Sequence, residues 1–255
     1  MLCRISERAE HAPRALAQAL AEEPRFIGSE EAPRVASWQD DLRESRGCLL
    51  EAGGQVDDAL AGGTFPLLVA GDCAIALTTL AALRRHRADA RLLWLDAHGD
   101  FNTPATTASG FLGGMALSGA LGLWDAGLDA EPFPAARVVM AGVRDLDAQE
   151  RELLERSEVT VVGAGLDTLV AVQNSLDRAP VYVHLDVDVL DPEHMPAQFP
   201  VPGGLRPDKL YDLLEAVADE CEIVGVEVTA FVDAGYADTV ASVLEPILKE
   251  THVHH

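Results

Sequence analysis

The chain has 255 residues, 48% of them hydrophobic, with 42 Asp and Glu against 19 Lys and Arg for a formal net charge of −23. That length and apolar content exclude a disordered chain and suit one α/β domain, residues 1–255, with a sizeable core. The acidic balance argues against a nucleic-acid or anionic-membrane partner, because phosphate surfaces require patches of Lys and Arg.

In chain order, Ser6 to Glu22 is Ala-rich with Leu16 and Leu20 four apart and predicts a helix, split or started by Pro13. Arg25 to Gly28 reads as a short strand. Asp40 to Leu60 reads as a helix interrupted by Gly53-Gly54. Pro66 to Ala70 predicts a strand, then Gly71-Asp72-Cys73 turns into a helix from Ala74 to Arg87. The one basic cluster, Arg84-Arg85-His86-Arg87, falls at the end of that helix, where cations complement the dipole. Leu92 to Leu95 predicts a buried strand, residues 102–114 a loop, and Met115 to Leu121 a helix. Strands follow at Arg137–Ala141, Val159–Val162, Val181–Val187 and Ile223–Thr229. Helices are expected at Asp147–Arg156 with Asp147 as cap, Leu166–Leu176, Arg206–Ala218 with Pro207 in its first turn, and Asp238–Lys249 despite Pro246. Strands alternating with helices favour a largely parallel sheet covered on both faces.

Cys3, Cys48, Cys73 and Cys221 are scattered with no Cys-x-x-Cys, which reads as reduced thiols in an intracellular protein. No signal-peptide pattern and no bilayer-length apolar stretch is present, so the expected location is the cytoplasm. The terminal Thr251-His-Val-His-His reads as a frayed tail or a tag rather than a site.

The chemistry concentrates where two apolar runs end in acids. Leu92 to Leu95 runs into Asp96, His98 and Asp100; Val181 to Leu185 runs into Asp186 and Asp188. Open α/β sheets place their sites at the carboxyl ends of strands. The period of two in extended chain would put the members of each set on one side. Carboxylates converging without a cation repel, and burying them unpaired costs several kcal/mol each. Two such strand ends therefore point to metal, and to two ions sharing carboxylates about 3.5–4 Å apart.

These stretches, Asp96-Ala-His98-Gly-Asp100-Phe-Asn102-Thr-Pro, Thr106-Thr-Ala-Ser109-Gly, Asp186-Val-Asp188-Val-Leu-Asp-Pro, Pro200-Val-Pro-Gly-Gly-Leu and Val226-Glu227-Val, resemble the ureohydrolase family of arginase, agmatinase and formiminoglutamase. They occur in family order from about Arg4 to Ala234. The resemblance implies a three-layer, doubly wound, mainly parallel sheet whose usual first strand is missing or replaced. It implies two divalent ions, manganese by family habit. The first would be held by Cys73, Asp96, Asp100 and Asp186, the second by His98, Asp188 and shared oxygens of Asp96 and Asp186. The family has His where this chain has Cys73; a thiolate ligand there would shift preference toward zinc or iron, while the alternative is a small buried apolar residue. Asp100 is implied as the group that orients the nucleophile and passes its proton on, Glu227 as the partner of a guanidinium, and Asn102 and Ser109 as holders of the substrate's amino-acid end.

Arginase would next have Asn, Leu, His, Gly; here stand Phe111, Leu112, Gly113 and Gly114. An apolar ring cannot hold a carboxylate and Gly cannot shuttle protons, so arginine itself fits poorly and a less basic guanidino compound such as a hydroxyguanidine fits better. His184 shares the face of Asp186 but lies deeper in the strand and reads as structural; His194 is a lesser candidate for the missing His. The expected function is hydrolysis of a linear guanidino or amidino C–N bond by a homo-oligomer, trimeric or hexameric by analogy. The alternative is a catalytically impaired relative that binds a ligand or partner. A phosphate-ester hydrolase is disfavoured, since no phosphate cradle accompanies Asp186 and Asp188.

Overall fold

The structure, a computed structural model, describes residues 12–28, 36–163 and 168–249. Six strands form one all-parallel sheet: β1 (Leu67–Val69), β2 (Arg91–Leu95), β3 (Val138–Ala141), β4 (Thr160–Val162), β5 (Val181–Asp186) and β6 (Ile223–Thr229), in the spatial order β1-β6-β5-β2-β3-β4. From β2 the chain winds outward through β3 and β4, then returns to β5 on the other side of β2. That reversal opens a crevice at the carboxyl ends of β2 and β5.

The helices α1 (Ala12–Ala19), α2 (Trp38–Ala61), α3 (Ala76–His86), α4 (Ala116–Ala120), α5 (Ala148–Glu155), α6 (Thr168–Leu176), α7 (Pro207–Glu220) and α8 (Ala237–Lys249) cover both faces. Alternation along β2 sorts its residues between the two sides. Leu93 and Leu95 join Leu16, Val172, Leu214 and Leu244 in one core, and Leu92 and Trp94 join Leu80, Leu83, Leu117 and Phe133 in the other. Being buried on both faces, β2, β3, β5 and β6 read as near-continuous apolar runs, which is why they were visible in the sequence.

Four expectations need correction. Arg25–Gly28 is irregular chain rather than a strand, with the Arg14 guanidinium lying over the Phe26 ring at 3.8 Å. Gly53-Gly54 does not interrupt α2, because the missing side chain at Gly53 lets α3 pack close: a Cβ there would meet the Thr78 Cβ at 2.6 Å. The predicted helix at Met115 is a 3-10 turn, Gly113–Met115, followed by the short α4. β5 ends at Asp186, and a 3-10 turn over Val187–Val189 carries Asp188. The first part of the Ser6–Glu22 helix, residues 166–167, Cys3 and the His-rich end lie outside the described residues. Among the described residues β1 forms one edge of the sheet, and no helix is long and apolar enough to cross a membrane.

Candidate metal centre

Three adjacent strands bring the acids together. Asp96 follows β2, Asp186 closes β5, and Thr229, directly across from Asp186, closes β6. Cys73 arrives from the turn after β1, where the Asp72 carboxylate accepts from Ala74 N at 2.8 Å and starts a 3-10 turn. Its Sγ lies 3.1 Å from Asp186 Oδ2, 3.2 Å from Thr229 Oγ1 and 4.0 Å from Asp96 Oδ2.

Strand alternation is not what gathers the remaining groups. Both chains leave extended geometry beyond Asp96 and Asp186, and each carboxylate turns back to accept a backbone N–H two residues on: Asp96 Oδ1 from His98 N at 2.7 Å and Asp186 Oδ1 from Asp188 N at 2.8 Å. Asp188 Oδ1 accepts from Ala97 N at 3.0 Å, tying the two turns together. His98 Nδ1 then lies 3.0 Å from Asp188 Oδ2 and 3.4 Å from Asp96 Oδ1. Asp100 adopts φ +48, which an Asp tolerates better than most residues, and its carbonyl accepts from Leu117 N and Ser118 N.

Two scaffolding groups, the buried Glu150 and the half-buried Arg144, hold these turns. Glu150 accepts from Phe101 N at 2.9 Å and Asp147 N at 3.2 Å, and it requires Gly99, where a Cβ would stand 2.6 Å from its Oε1. The Arg144 guanidinium donates to the carbonyls of Gly142, Asp188, Val189, Leu190 and Val201, clamping the segments after β3 and β5. Sequence reasoning missed both, because neither sits in a ligand-like spacing.

The electrostatics are those of anions crowded out of water. Burial, with Asp188 nearby, pushes the Asp96 carboxyl up to about 7. Burial also drives Asp100 and Asp186 well above the usual carboxylate range, with Asp96 adding to both and Asp188 adding to Asp186. Cys73 is pushed up by burial and by the three acids around it. Burial opposes charge on His98, but Asp188 and Asp96 prevail and raise it to about 11; Asp188, with His98 beside it, is held low despite its burial. Protons in such a cluster stand where cations could. The donor atoms fit ions in two groups: Asp96, His98 and Asp188 lie within 4.8 Å of one another, and so do Cys73, Asp96 and His184.

Glu227 is fully buried beneath this cluster, its Oε1 2.6 Å from His184 Nδ1 and its Oε2 accepting from Tyr182 OH at 3.0 Å. Gly225 makes room for the Tyr182 ring, which a Cβ there would approach to 2.7 Å. Asn102 is buried, its Nδ2 donating to Asp147 Oδ2 at 3.2 Å and its Oδ1 accepting from Thr106 Oγ1 at 3.0 Å. Ser109 is exposed and accepts from Phe111 N at 3.2 Å. The Phe111 ring fills the space above Gly113, where a Cβ would come within 2.5 Å of it. Phe199, from the long segment after β5, stands 5.3 Å from Phe111 and 6.3 Å edge-on from His98, so an aromatic pair walls the mouth of the site. His194 is half-buried in the turn after Asp191, with its backbone N bonded to Asp191 O.

The sequence profile described as "Arginase family" matches residues 6–243. An N(omega)-hydroxy-L-arginine amidinohydrolase of Streptomyces lavendulae is 39% identical over 222 residues, 87% of this chain and 80% of that protein. An arginase of Brevibacillus brevis is 37% identical over 198 residues, 70% of this chain and 66% of that protein. The crystal structure of an arginase from Bacillus subtilis superposes with a TM-score of 0.85 at 25% identity, covering 94% of this chain and 92% of that one. With the α/β sheet and the order of its motifs, these matches establish that the chain belongs to the arginase family.

Proposed function

We infer that the protein is a dinuclear-metal hydrolase of a linear guanidino C–N bond, and that its substrate is a hydroxyguanidine rather than arginine. The carrying observation is the convergence of Asp96, His98, Asp186 and Asp188 at one end of the sheet, all but His98 nearly fully buried. Cys73, Asp96, Asp100 and Asp186 would hold the first ion, and His98, Asp188, Asp96 and Asp186 the second. Manganese suits the carboxylates; the sulfur of Cys73 draws the first position toward zinc or iron. Bound there, a pair of ions lowers the pKa of water toward neutrality and supplies Lewis acidity.

The residues of the chain do the rest. Asp100, buried beyond the end of β2 beside the proposed ions, suits a group that accepts the proton of the attacking water and returns it to the departing nitrogen. The carboxylate of Asp147 beside Asn102 offers a polar end for an ammonium group, with Ser109 further out. Phe111 and Phe199 exclude water from the mouth and suit the aliphatic part of a substrate. Glu227 takes no part in substrate contact in this reading, because His184 and Tyr182 engage both its oxygens. A hydroxyguanidine is less basic than a guanidine, so it asks less of a site without the family's His at position 113. The relative from Streptomyces lavendulae, by its description, acts on such a compound. The assembly expected is a homo-oligomer.

The test loads the chain separately with manganese, zinc and iron. Release of hydroxyurea from Nω-hydroxy-L-arginine is then compared with release of urea from arginine and agmatine. Faster turnover of the hydroxylated compound is expected. A chain holding two ions with no turnover of any of them would favour the binding-protein alternative, which the changes at Cys73, Phe111 and Gly113 motivate.

A further inference from the structure

We propose that His184 is a ligand of the first ion, so that the imidazole absent from position 73 is supplied instead by the middle of β5, with Glu227 as its supporting carboxylate. The proposal deepens the dinuclear reading and rests on it.

In the sheet register Trp94, His184 and Glu227 lie side by side on β2, β5 and β6, one step below Asp96, Asp186 and Thr229 on the same face. The Trp94 indole stacks flat on the His184 ring, 3.5 Å between centroids and 3° between planes, which fixes the plane of the imidazole. Its orientation within that plane is fixed by Glu227, 2.6 Å from Nδ1. With Glu227 on Nδ1 and Tyr182 on the other carboxylate oxygen, Nε2 is the ring nitrogen left to hold an ion, as the tautomer with its hydrogen on Nδ1 would. That nitrogen points up into the cluster: Nε2 is 3.3 Å from Cys73 Sγ and 3.4 Å from Thr229 Oγ1.

The donor atoms of Cys73, Asp96 and His184 lie within 4.8 Å of one another, as atoms able to share one ion do, and Asp186 adjoins Cys73. Sγ of Cys73 is 3.3 Å from His184 Nε2, 3.1 Å from Asp186 Oδ2 and 4.0 Å from Asp96 Oδ2. Ligands about 2.0–2.3 Å from a tetrahedral ion are spaced about 3.3–3.8 Å apart. A histidine that binds metal through one nitrogen nearly always donates from the other to a carboxylate, and this pairing is present before any ion arrives. Nε2 thus faces the Cys73 thiol, with Asp96 in the same group of candidate ligands. One sulfur, one imidazole and carboxylates make a donor set for zinc or iron in the first position, while Asp96, His98 and Asp188 keep the second.

The experiment is X-ray absorption at the zinc edge on the full chain loaded with two zinc ions. The proposal expects one sulfur among the ligands and about one imidazole per zinc, His98 and His184 averaged over two ions. Half an imidazole per zinc in the wild-type chain overturns it while leaving two ions, and the dinuclear reading, in place; a chain that takes up no ion overturns both. In His184→Gln, provided it folds, zinc content should fall from two ions to one. Glu227→Gln should weaken uptake of the first ion about 10- to 100-fold. Folded His184→Gln with unchanged content and affinity overturns the proposal.

Discussion

Removing the ions should invert the usual pH dependence of stability. Asp96 holds its proton up to about 7 in the folded chain and releases it near 3.8 when unfolded, so between those values the native state binds the extra proton. Stability then falls as pH rises, by about 1.4 kcal/mol per unit for each such proton. From pH 5 to pH 7 Asp96 alone costs about 2 kcal/mol, the slope flattening as its proton leaves near 7. His98, raised to about 11, works in the same direction once pH passes its ordinary 6.5, and Asp100 and Asp186 are shifted the same way as Asp96. Asp188 runs oppositely, but its depressed pKa acts only below 3.8, outside this window. Urea unfolding in the presence of a chelator should therefore show a midpoint lower at pH 7 than at pH 5 by about 1 M, for an m-value of about 3 kcal/mol/M. Saturation with manganese or zinc should abolish the drop, since ions take the place of the protons. Asp96→Asn should remove much of the slope in the metal-free chain. A metal-free midpoint that is flat or rises between pH 5 and pH 7 would refute the picture of crowded, proton-holding acids.

Gly113→His should destabilise the fold by about 1–3 kcal/mol, because its Cβ meets the Phe111 ring, and Phe111→Ala should relieve most of that loss in thermal melts of the double variant. Arg144→Met should cost about 2–4 kcal/mol by leaving carbonyls without a donor, and calorimetric metal titration should show weaker uptake through displaced Asp188. Gly204→Ala should act on the same clamp: a Cβ there would sit 2.6 Å from both Arg144 Nη2 and Asp191 N, so the variant should melt well below the wild type. Failure of both substitutions to alter metal uptake would separate the clamp from the site.

The strands and the acid-bearing turns were legible because a parallel sheet buried on both faces writes itself as apolar runs, and because Asp96, His98, Asp186 and Asp188 end two of them. How those side chains meet was not legible from alternation: the two turns, not the strand pleat, bring His98 to Asp188. The surroundings of His184 were hidden for a different reason. Its partners lie 43 residues away at Glu227 and 111 away at Cys73, and only the registers of β5 against β6 and of β6 against β1 join them. Gly53-Gly54 misled in the same way, since a glycine that breaks an isolated helix can serve a close helix–helix contact. Phe199 carried no signal at all; it reaches His98 from a long irregular segment.

The Arg144 clamp bears on how ions would enter. One guanidinium fastens the peptide groups that follow β3 and β5, the two strands flanking β2, so the loops carrying Asp188 and its surroundings behave as a single stiff rim. A receptor built in advance loses little conformational freedom when it fills. Uptake should therefore be governed by desolvation of the incoming ion and expulsion of protons, and an emptied chain should keep its shape and refill without refolding.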